Sequence, residues 1–305
     1  MHHKGLTRYM RRHGVRALPW VLRRLPEPWG REACAGIGAL AHRVVARDRY
    51  LARDNLTRVH GDWEPERIRR FARQVFVEIG RNAYDFLRYP DLSAEAQRSL
   101  VRIEGREVLD GLSGGAVVVT GHLGCWELLA AGLCREGYPL KALARPLREA
   151  GLDALLAGHR QRMGVETFSS RVLPIQGVRH LKQGGLLGVL VDQRIKRGGV
   201  DVTFLGQPTR MTDAPARLAL AAGVPLVPVG IARRTDGTHR AWITPAVHPR
   251  GRGIQEVTQI LAARLEGLIA RAPEQWIWIH PRWEPSPRRN AAAADRGKGE
   301  TWASG

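Results

Sequence analysis

The sequence predicts an α/β protein with a mixed, largely parallel sheet flanked by helices, preceded by an N-terminal helical segment. Three observations predict it. From about residue 100 onward, short apolar and β-branched runs alternate with helical patterns, as a sheet joined by helical crossovers requires. Before residue 100 the chain reads as helical, with apolar residues over 64–89 recurring near a 3.6-residue period. Finally, 44% of the 305 residues are hydrophobic, enough to fill the core of one large domain or two small ones.

The elements follow in chain order. Residues 1–30 interleave Arg8, Arg11, Arg12, Arg16, Arg23 and Arg24 with Tyr9, Leu18, Trp20, Val21, Leu22, Leu25 and Trp29. That pattern fits either an interfacial membrane segment or a solvated helix packed on the domain. Residues 31–60 read as a helix, with Ile37, Leu40, Ala41, Val44 and Val45 apolar. Residues 64–89 give another, through Ile68, Phe71, Val75, Phe76, Ile79, Ala83, Phe86 and Leu87, ended by Pro90. Strands are expected over 101–103, 116–120, 140–144, 165–168, 186–191, 226–230 and 276–279, with 241–243 as an edge strand. Helices are expected over 126–135, 152–163, 178–183, 218–222 and 255–270. The chain thus divides into a helical, membrane-associating segment (1–100), an α/β core (101–284) and a Pro, Arg, Ala and Gly-rich tail expected to be disordered (285–305).

Composition narrows the function. A formal charge of +19 points to an anionic partner: nucleic acid, an acidic lipid surface or an acidic carrier protein. The arginines follow no recognition-helix, zinc-finger or aromatic-platform pattern, so nucleic acid is not the expected partner. Cys34, Cys125 and Cys134 form neither a disulfide framework nor a zinc site, and a reducing compartment is expected. The longest apolar stretch, 218–232, is broken by Pro225 and Pro228, so no membrane-spanning helix is expected, and no cleavable signal peptide is visible. No metal and no cofactor are expected.

The chemistry concentrates in Val117-Val118-Val119-Thr120-Gly121-His122-Leu123-Gly124-Cys125-Trp126-Glu127-Leu128-Leu129. A strand meets a small-residue turn, then a His, then a helix carrying a Glu, the place where α/β folds put their reactive groups. Two residues five apart on one helix differ by about 140° and share no face. His122 on the turn and Glu127 in the helix can still converge, with one imidazole nitrogen held and the other turned to a substrate hydroxyl. A Cys three residues after a His also invites a thiol-nucleophile reading, against which a packed Cys125 is the plainer alternative.

Further stretches accompany this segment in order: Arg53-Asp54-Asn55-Leu56, Asp85-Phe86-Leu87-Arg88, Ile103-Glu104-Gly105, Ala144-Arg145-Pro146, Arg160, Val191-Asp192-Gln193, Phe204-Leu205-Gly206, Pro208-Thr209, and Pro273-Glu274-Gln275-Trp276-Ile277-Trp278-Ile279-His280. Over roughly residues 30–285 the ordered set resembles the lysophospholipid acyltransferase superfamily, in particular its lipid A late acyltransferase branch.

The resemblance implies a glycerolipid-acyltransferase-like fold at the cytoplasmic face of the bacterial inner membrane. It implies transfer of a fatty acyl chain from acyl carrier protein, or from acyl-CoA, to a hydroxyl of a phosphorylated glycolipid such as a lipid A precursor. An acceptor of another kind, a glycosylated phosphoinositide or an aminolipid, is the alternative. The family's catalytic residues fall on His122 and Glu127. Arg145 and Arg160 would bind phosphates, with Asp192 and Gln193 in the same substrate-binding set. Asp192 is also the rival to Glu127 as partner of His122, because a carboxylate at the end of a buried strand needs a partner. Glu274 and His280 would organise the fold. Cys125 stands where the family often has Asn, and Pro281 where relatives have a basic residue.

Overall fold

The computed structural model describes residues 24–146, 149–169, 173–195 and 197–284. The arginine-rich residues 1–23 and the expected tail 285–305 lie outside the described residues. Three long helices come first: α1 (Glu27–Val44), α2 (Ala46–Val59) and α3 (Pro65–Arg88). Then follow α4 (Ala94–Leu100), β1 (Val101–Glu104), α5 (Glu107–Asp110), β2 (Ala116–Thr120), α6 (Trp126–Arg135), β3 (Leu140–Ala144), α7 (Ala150–Arg162), β4 (Glu166–Ser169), α8 (Leu173–Lys182) and β5 (Leu186–Leu190). The chain closes with β6 (Val200–Phe204), β7 (Gln207–Met211), α9 (Ala214–Ala222), β8 (Leu226–Arg233), β9 (His239–Ile243) and α10 (Ile254–Ile269).

Seven strands form one sheet in the order β1-β9-β8-β2-β5-β3-β4. Every neighbouring pair is parallel except β8 with β9, so the sheet is mixed and largely parallel, as expected. Because side chains alternate across a strand, β2 feeds two cores at once. Val117 and Val119 pack with Leu261, Leu265 and Leu268 of α10, whereas Ala116 and Val118 pack with Leu128, Leu129 and Leu133 of α6. A strand buried on both faces reads as an unbroken apolar run, which is why β2 was legible from Val117-Val118-Val119.

The N-terminal helices are bound to this core by close packing and by charge. Gly38 of α1 and Gly80 of α3 let the two backbones touch: a Cβ at Gly38 would stand 2.1 Å from the Phe76 carbonyl oxygen, and one at Gly80 2.1 Å from that of Cys34. On the sheet side of α3, Arg233 of β8 donates to Glu78 (2.7 Å) and Asn82 (3.0 Å), and the Asp85 carboxylate accepts from Arg31 (3.1 Å) and His239 (3.0 Å). The side chains of Glu78, Asp85, Arg233 and His239 are all buried, and each is matched there by a polar partner.

Three expectations are corrected, and one element is new. Residues 31–60 form two helices, with the break at Val45 (φ −90°, ψ 80°), because α2 must turn to bury Leu51, Ala52, Asn55 and Leu56. Residues 241–243 belong to an interior strand, β9, flanked by β1 and β8, where the buried His239 hydrogen-bonds to Asp85. Residues 276–279 form no strand: a 3₁₀ turn over Pro273–Gln275 leads to a single bridge between Trp276 and Leu123. The hairpin β6–β7 was not anticipated. Its two-residue turn, Leu205-Gly206, has φ of 50° and 73°, a left-handed pair that Leu rarely adopts and that therefore carried no turn signal. Glu266 of α10 anchors this turn by accepting the Leu205 N–H at 2.7 Å.

Candidate active site

Strand β2 ends at Thr120 and α6 begins at Trp126, so Gly121–Cys125 form the turn at the carboxyl end of a central strand. Two glycines shape it. A Cβ at Gly121 would stand 3.0 Å from Asp192 Oδ2, so glycine lets the carboxylate approach the backbone. Gly124 adopts φ +56°, and a Cβ there would stand 2.2 Å from the Ile231 carbonyl oxygen. The turn is pinned to the tryptophan-rich C-terminal segment by Gly124 N–H to Gln275 O (3.0 Å) and Ile277 N–H to His122 O (3.1 Å).

His122 projects from this turn and is held on three sides. Its Nδ1–H donates to Asp192 Oδ1 (2.7 Å), while its own backbone N–H donates to Asp192 Oδ2 (2.7 Å). The Trp276 indole N–H also donates to Oδ2, at 2.8 Å. Burial, the largest influence, works to raise the Asp192 pKa, but the adjacent His122 charge and the three donated hydrogen bonds outweigh it and hold the group at about 2. An ionised carboxylate can only accept, so Nδ1 carries the proton, and in the neutral form of the imidazole Nε2 is then the acceptor. The Gln193 amide donates to that Nε2 (3.3 Å) and to His280 Nε2 (3.2 Å). Burial, with the neighbouring His122, lowers the His280 pKa and keeps its ring neutral.

The carboxylate holding His122 is therefore Asp192, and Glu127 is committed elsewhere. Glu127 sits in the first turn of α6 and takes a forked contact from Arg160 of α7, with Nη2 at 2.6 Å and Nε at 3.0 and 3.2 Å from its two oxygens. That bond holds the Arg160 pKa above its ordinary value. Much of the donor set expected to meet phosphate is thus spent on Glu127. Asp192, placed from sequence among the substrate-binding residues as well, is buried behind His122 and does not line the cavity. Gln193 and Arg145 do line it, Arg145 exposed. Cys125 is buried, its thiol pKa is pushed far up by that burial, and Sγ reaches the Asn82 carbonyl at 3.6 Å, so it is packed rather than poised as a nucleophile.

The cavity in front of His122 measures about 620 Å³. Phe86, Ile79 and Leu156 supply an apolar wall, and Arg145, Arg160 and Arg194 a cationic one. Sequence reasoning missed two contributors. Trp276 and His280 come from the segment read as a strand, where the motif Trp-Ile-Trp-Ile-His was visible but its inward direction was not. The wall from α3 was also missed, because the helical period shows which residues are apolar and not what they face.

The description "Bacterial lipid A biosynthesis acyltransferase" belongs to a family model that matches residues 3–285, nearly the whole chain. The chain belongs to that family. It is 24% identical over 277 residues to the lipid A biosynthesis palmitoleoyltransferase of Escherichia coli, covering 88% of this chain and 89% of that protein. It is 28% identical over 181 residues to a phosphatidylinositol mannoside acyltransferase of Mycolicibacterium smegmatis, covering 55% of this chain and 57% of the relative. A counterpart of that name from Mycobacterium tuberculosis matches at 28% over 186 residues, 55% of this chain and 54% of its own length. The chain thus matches about half the length of these two mycobacterial relatives. Among solved structures, the 1-acyl-sn-glycerophosphate acyltransferase of Thermotoga maritima superposes with a TM-score of 0.40 at 15% identity, over 80% of this chain and 96% of that one.

Proposed function

We propose that this protein transfers a fatty acyl chain from a thioester donor to a hydroxyl of a phosphorylated glycolipid of the lipid A type, with His122 as general base and Asp192 as its partner. The observation that carries the reading is the imidazole held by an ionised carboxylate at Nδ1, with Nε2 turned to a large, mostly apolar cavity. The acceptor hydroxyl gives its proton to Nε2 as its oxygen attacks the thioester carbonyl. The tetrahedral intermediate then collapses, and His122 returns the proton to the departing sulfur. Asp192 keeps the imidazole in the productive tautomer and stabilises its protonated form. The acceptor hydroxyl takes the place of the Gln193 amide at Nε2, and the Gln193 N–H so released lies next to the reacting atoms, where a carbonyl oxygen gathering charge can accept it.

Glu127 and Arg160 act together at the cavity wall. Glu127 fixes the guanidinium, and Arg145 adds positive charge to the lining, while Arg194 is paired with Glu284. Phosphates of the acceptor, or of the donor's pantetheine arm, are the anions that such a wall receives. The donor is acyl carrier protein, whose acidic surface complements a chain of net charge +19. The 28% identity to phosphatidylinositol mannoside acyltransferases favours a second reading, in which the acceptor is a mannosylated phosphoinositide and the donor acyl-CoA.

The enzyme works at the cytoplasmic face of the plasma membrane. Supporting this, α1 turns Trp29, Ile37, Leu40 and Val44 outward, with Trp29 73% and Val44 68% exposed. At 100° per residue these fall within a stripe about 80° wide, with the buried face of α1 on the other side against α3. No helix among the described residues is long and apolar enough to cross a membrane.

The test supplies purified protein with acylated carrier protein or acyl-CoA against a phosphorylated lipid A precursor or a mannosylated phosphoinositide, reading product mass. Product that disappears in His122→Ala and Asp192→Asn supports the reading. Turnover by His122→Ala at the wild-type rate would sink it.

A further inference from the structure

Positive charge also collects away from the cavity, at the elbow between α1 and α2 where it packs on α3. His42 sits inside the elbow, 9% exposed, with its ring edge-on to Phe76 of α3 at 5.3 Å. Burial does most to lower the His42 pKa. The charges that act on it next are Arg53, Arg49, Arg73 and Arg43, all of one sign. Arginines from three helices thus surround one neutral imidazole. Nε2 of that imidazole and Nε of Arg53 are both buried, and neither has a hydrogen-bond partner among the described residues.

No carboxylate answers this charge. Among the described residues, the side chains of Arg43, Arg53 and Arg73 take part in no ion pair and no hydrogen bond. Arg49 uses Nη1 on the carbonyls of His42 (2.7 Å) and Arg43, which end α1. The acids of α2 are engaged elsewhere: Asp54 pairs with Arg58 at 3.1 Å, and the charge of Asp48 is felt at His280. Arg49 and Arg53 stand one helical turn apart, a spacing at which like charges repel. An anion with several acceptor oxygens would relieve that repulsion and supply the missing partners.

The surroundings indicate what carries the anion. Val44, Val45 and Tyr50, all exposed, border the elbow. At 100° per residue, Arg43 falls about 40° beyond the edge of the α1 stripe made by Trp29, Ile37, Leu40 and Val44, and His42 falls on the far side of the helix. An apolar border next to a cationic centre suits a phosphate joined to hydrocarbon chains. We infer that the α1–α2 elbow binds the phosphate of an anionic lipid headgroup between Arg43, Arg49, Arg53 and Arg73, with the lipid's chains against the exposed stripe of α1. The site is separate from the cavity that His122 faces, which none of these four arginines lines. The choice of a lipid over a free anion rests on the proposed membrane surface and deepens it: the stripe supplies insertion, and the elbow supplies a preference among headgroups.

The test titrates the full chain by calorimetry with short-chain phosphatidic acid, kept below its micelle concentration, and separately with inorganic phosphate. Co-sedimentation with phosphatidylcholine vesicles carrying phosphatidic acid follows. The elbow variant is Arg53→Gln with Arg73→Gln. The control, Arg250→Gln with Arg264→Gln, removes the same charge from two other exposed positions. Wild type and control should bind the short-chain lipid alike, and the elbow variant about 25-fold more weakly, at about fivefold for each arginine. Arg53→Lys with Arg73→Lys should recover most of the binding. Relieved of repulsion, the elbow variant should unfold at the wild-type temperature or above it. A folded elbow variant that binds the lipid as wild type does would overturn the inference, as would an equal loss in the control. Inorganic phosphate bound as tightly as the lipid would overturn the lipid assignment. Short-chain lipid bound at the elbow by a protein that does not sediment with vesicles would keep the site while removing the proposed membrane surface.

Discussion

Replacing Asp192 by Asn tests the catalytic reasoning most directly, because it changes one oxygen to NH₂ at nearly constant volume. Asp192 accepts three donors: His122 Nδ1–H on one oxygen, and the His122 backbone N–H with the Trp276 indole N–H on the other. An amide has one accepting atom. If its oxygen takes the site that serves two donors, its NH₂ faces Nδ1 of His122. Nδ1 must then accept, which moves the imidazole proton to Nε2 and removes the lone pair that deprotonates the hydroxyl. If the amide turns over, its NH₂ meets two N–H groups at about 2.7–2.8 Å, and two buried donors lose their partner. The first orientation removes the base, and the second keeps its tautomer only by leaving two buried donors without an acceptor, so the first is favoured. The expected cost is about 10³–10⁴-fold in kcat, or roughly 4–5 kcal/mol in the barrier, with little change in KM. The assay is steady-state product formation by mass, paired with ¹⁵N chemical shifts of the His122 ring to read the tautomer. A folded Asp192→Asn enzyme within tenfold of wild type, beside a Glu127→Gln enzyme disabled by three decades, would refute the reasoning and return the partner role to Glu127.

The remaining predictions concern binding, packing and pH. Glu127→Gln should raise KM about tenfold with a smaller change in kcat, because it loosens Arg160 rather than His122; initial rates against acceptor concentration check this. Asp192 has its pKa held at about 2 in the folded protein against 3.8 unperturbed, so its contribution, on the order of 2 kcal/mol, is present above pH 4 and fades as pH falls toward 2. Comparing urea unfolding of wild type and Asp192→Asn between pH 2 and pH 6 should show the difference shrinking in acid. Cys125→Ala should retain transferase activity, and in wild type the Cys125 thiol should react with a thiol reagent only on unfolding, read by peptide mass. Gly38→Ala should lower stability by about 1–3 kcal/mol, since its Cβ would press on the Phe76 carbonyl, and thermal unfolding measures this. Leu40→Ser with Val44→Ser should reduce co-sedimentation with anionic vesicles while leaving turnover of a detergent-dispersed acceptor intact.

Local signals were enough where they were strong. The β-branched run Val117-Val118-Val119 reads as a strand and is one, buried on both faces, and the small-residue turn after it presents His122 at its carboxyl end. The helices over 64–89 and 255–270 announced themselves by period, and they appear as α3 and α10. Legibility failed where a segment's conformation is imposed from outside. The break at Val45 exists so that Asn55 can reach the carbonyls of Trp278 and His280, at 2.7 and 2.6 Å. The Trp276–Ile279 segment has the composition of a strand, yet its Ile277 N–H goes to the turn that carries His122 and the Trp276 indole goes to Asp192.

By itself, then, the sequence determined the α/β class, the strand-to-helix turn that carries His122, and an ordered set of motifs sufficient to recognise the family. All three are properties of contiguous residues. Which carboxylate serves His122 was decided only by tertiary structure. Glu127 is five residues away, and Asp192 is seventy. The parallel register of β2 with β5 sets Thr120 beside Leu190, and two residues further along both chains His122 meets Asp192. Spacing along the chain favoured the near carboxylate, but the helix that carries it turns it toward Arg160, and strand pairing delivers the distant one.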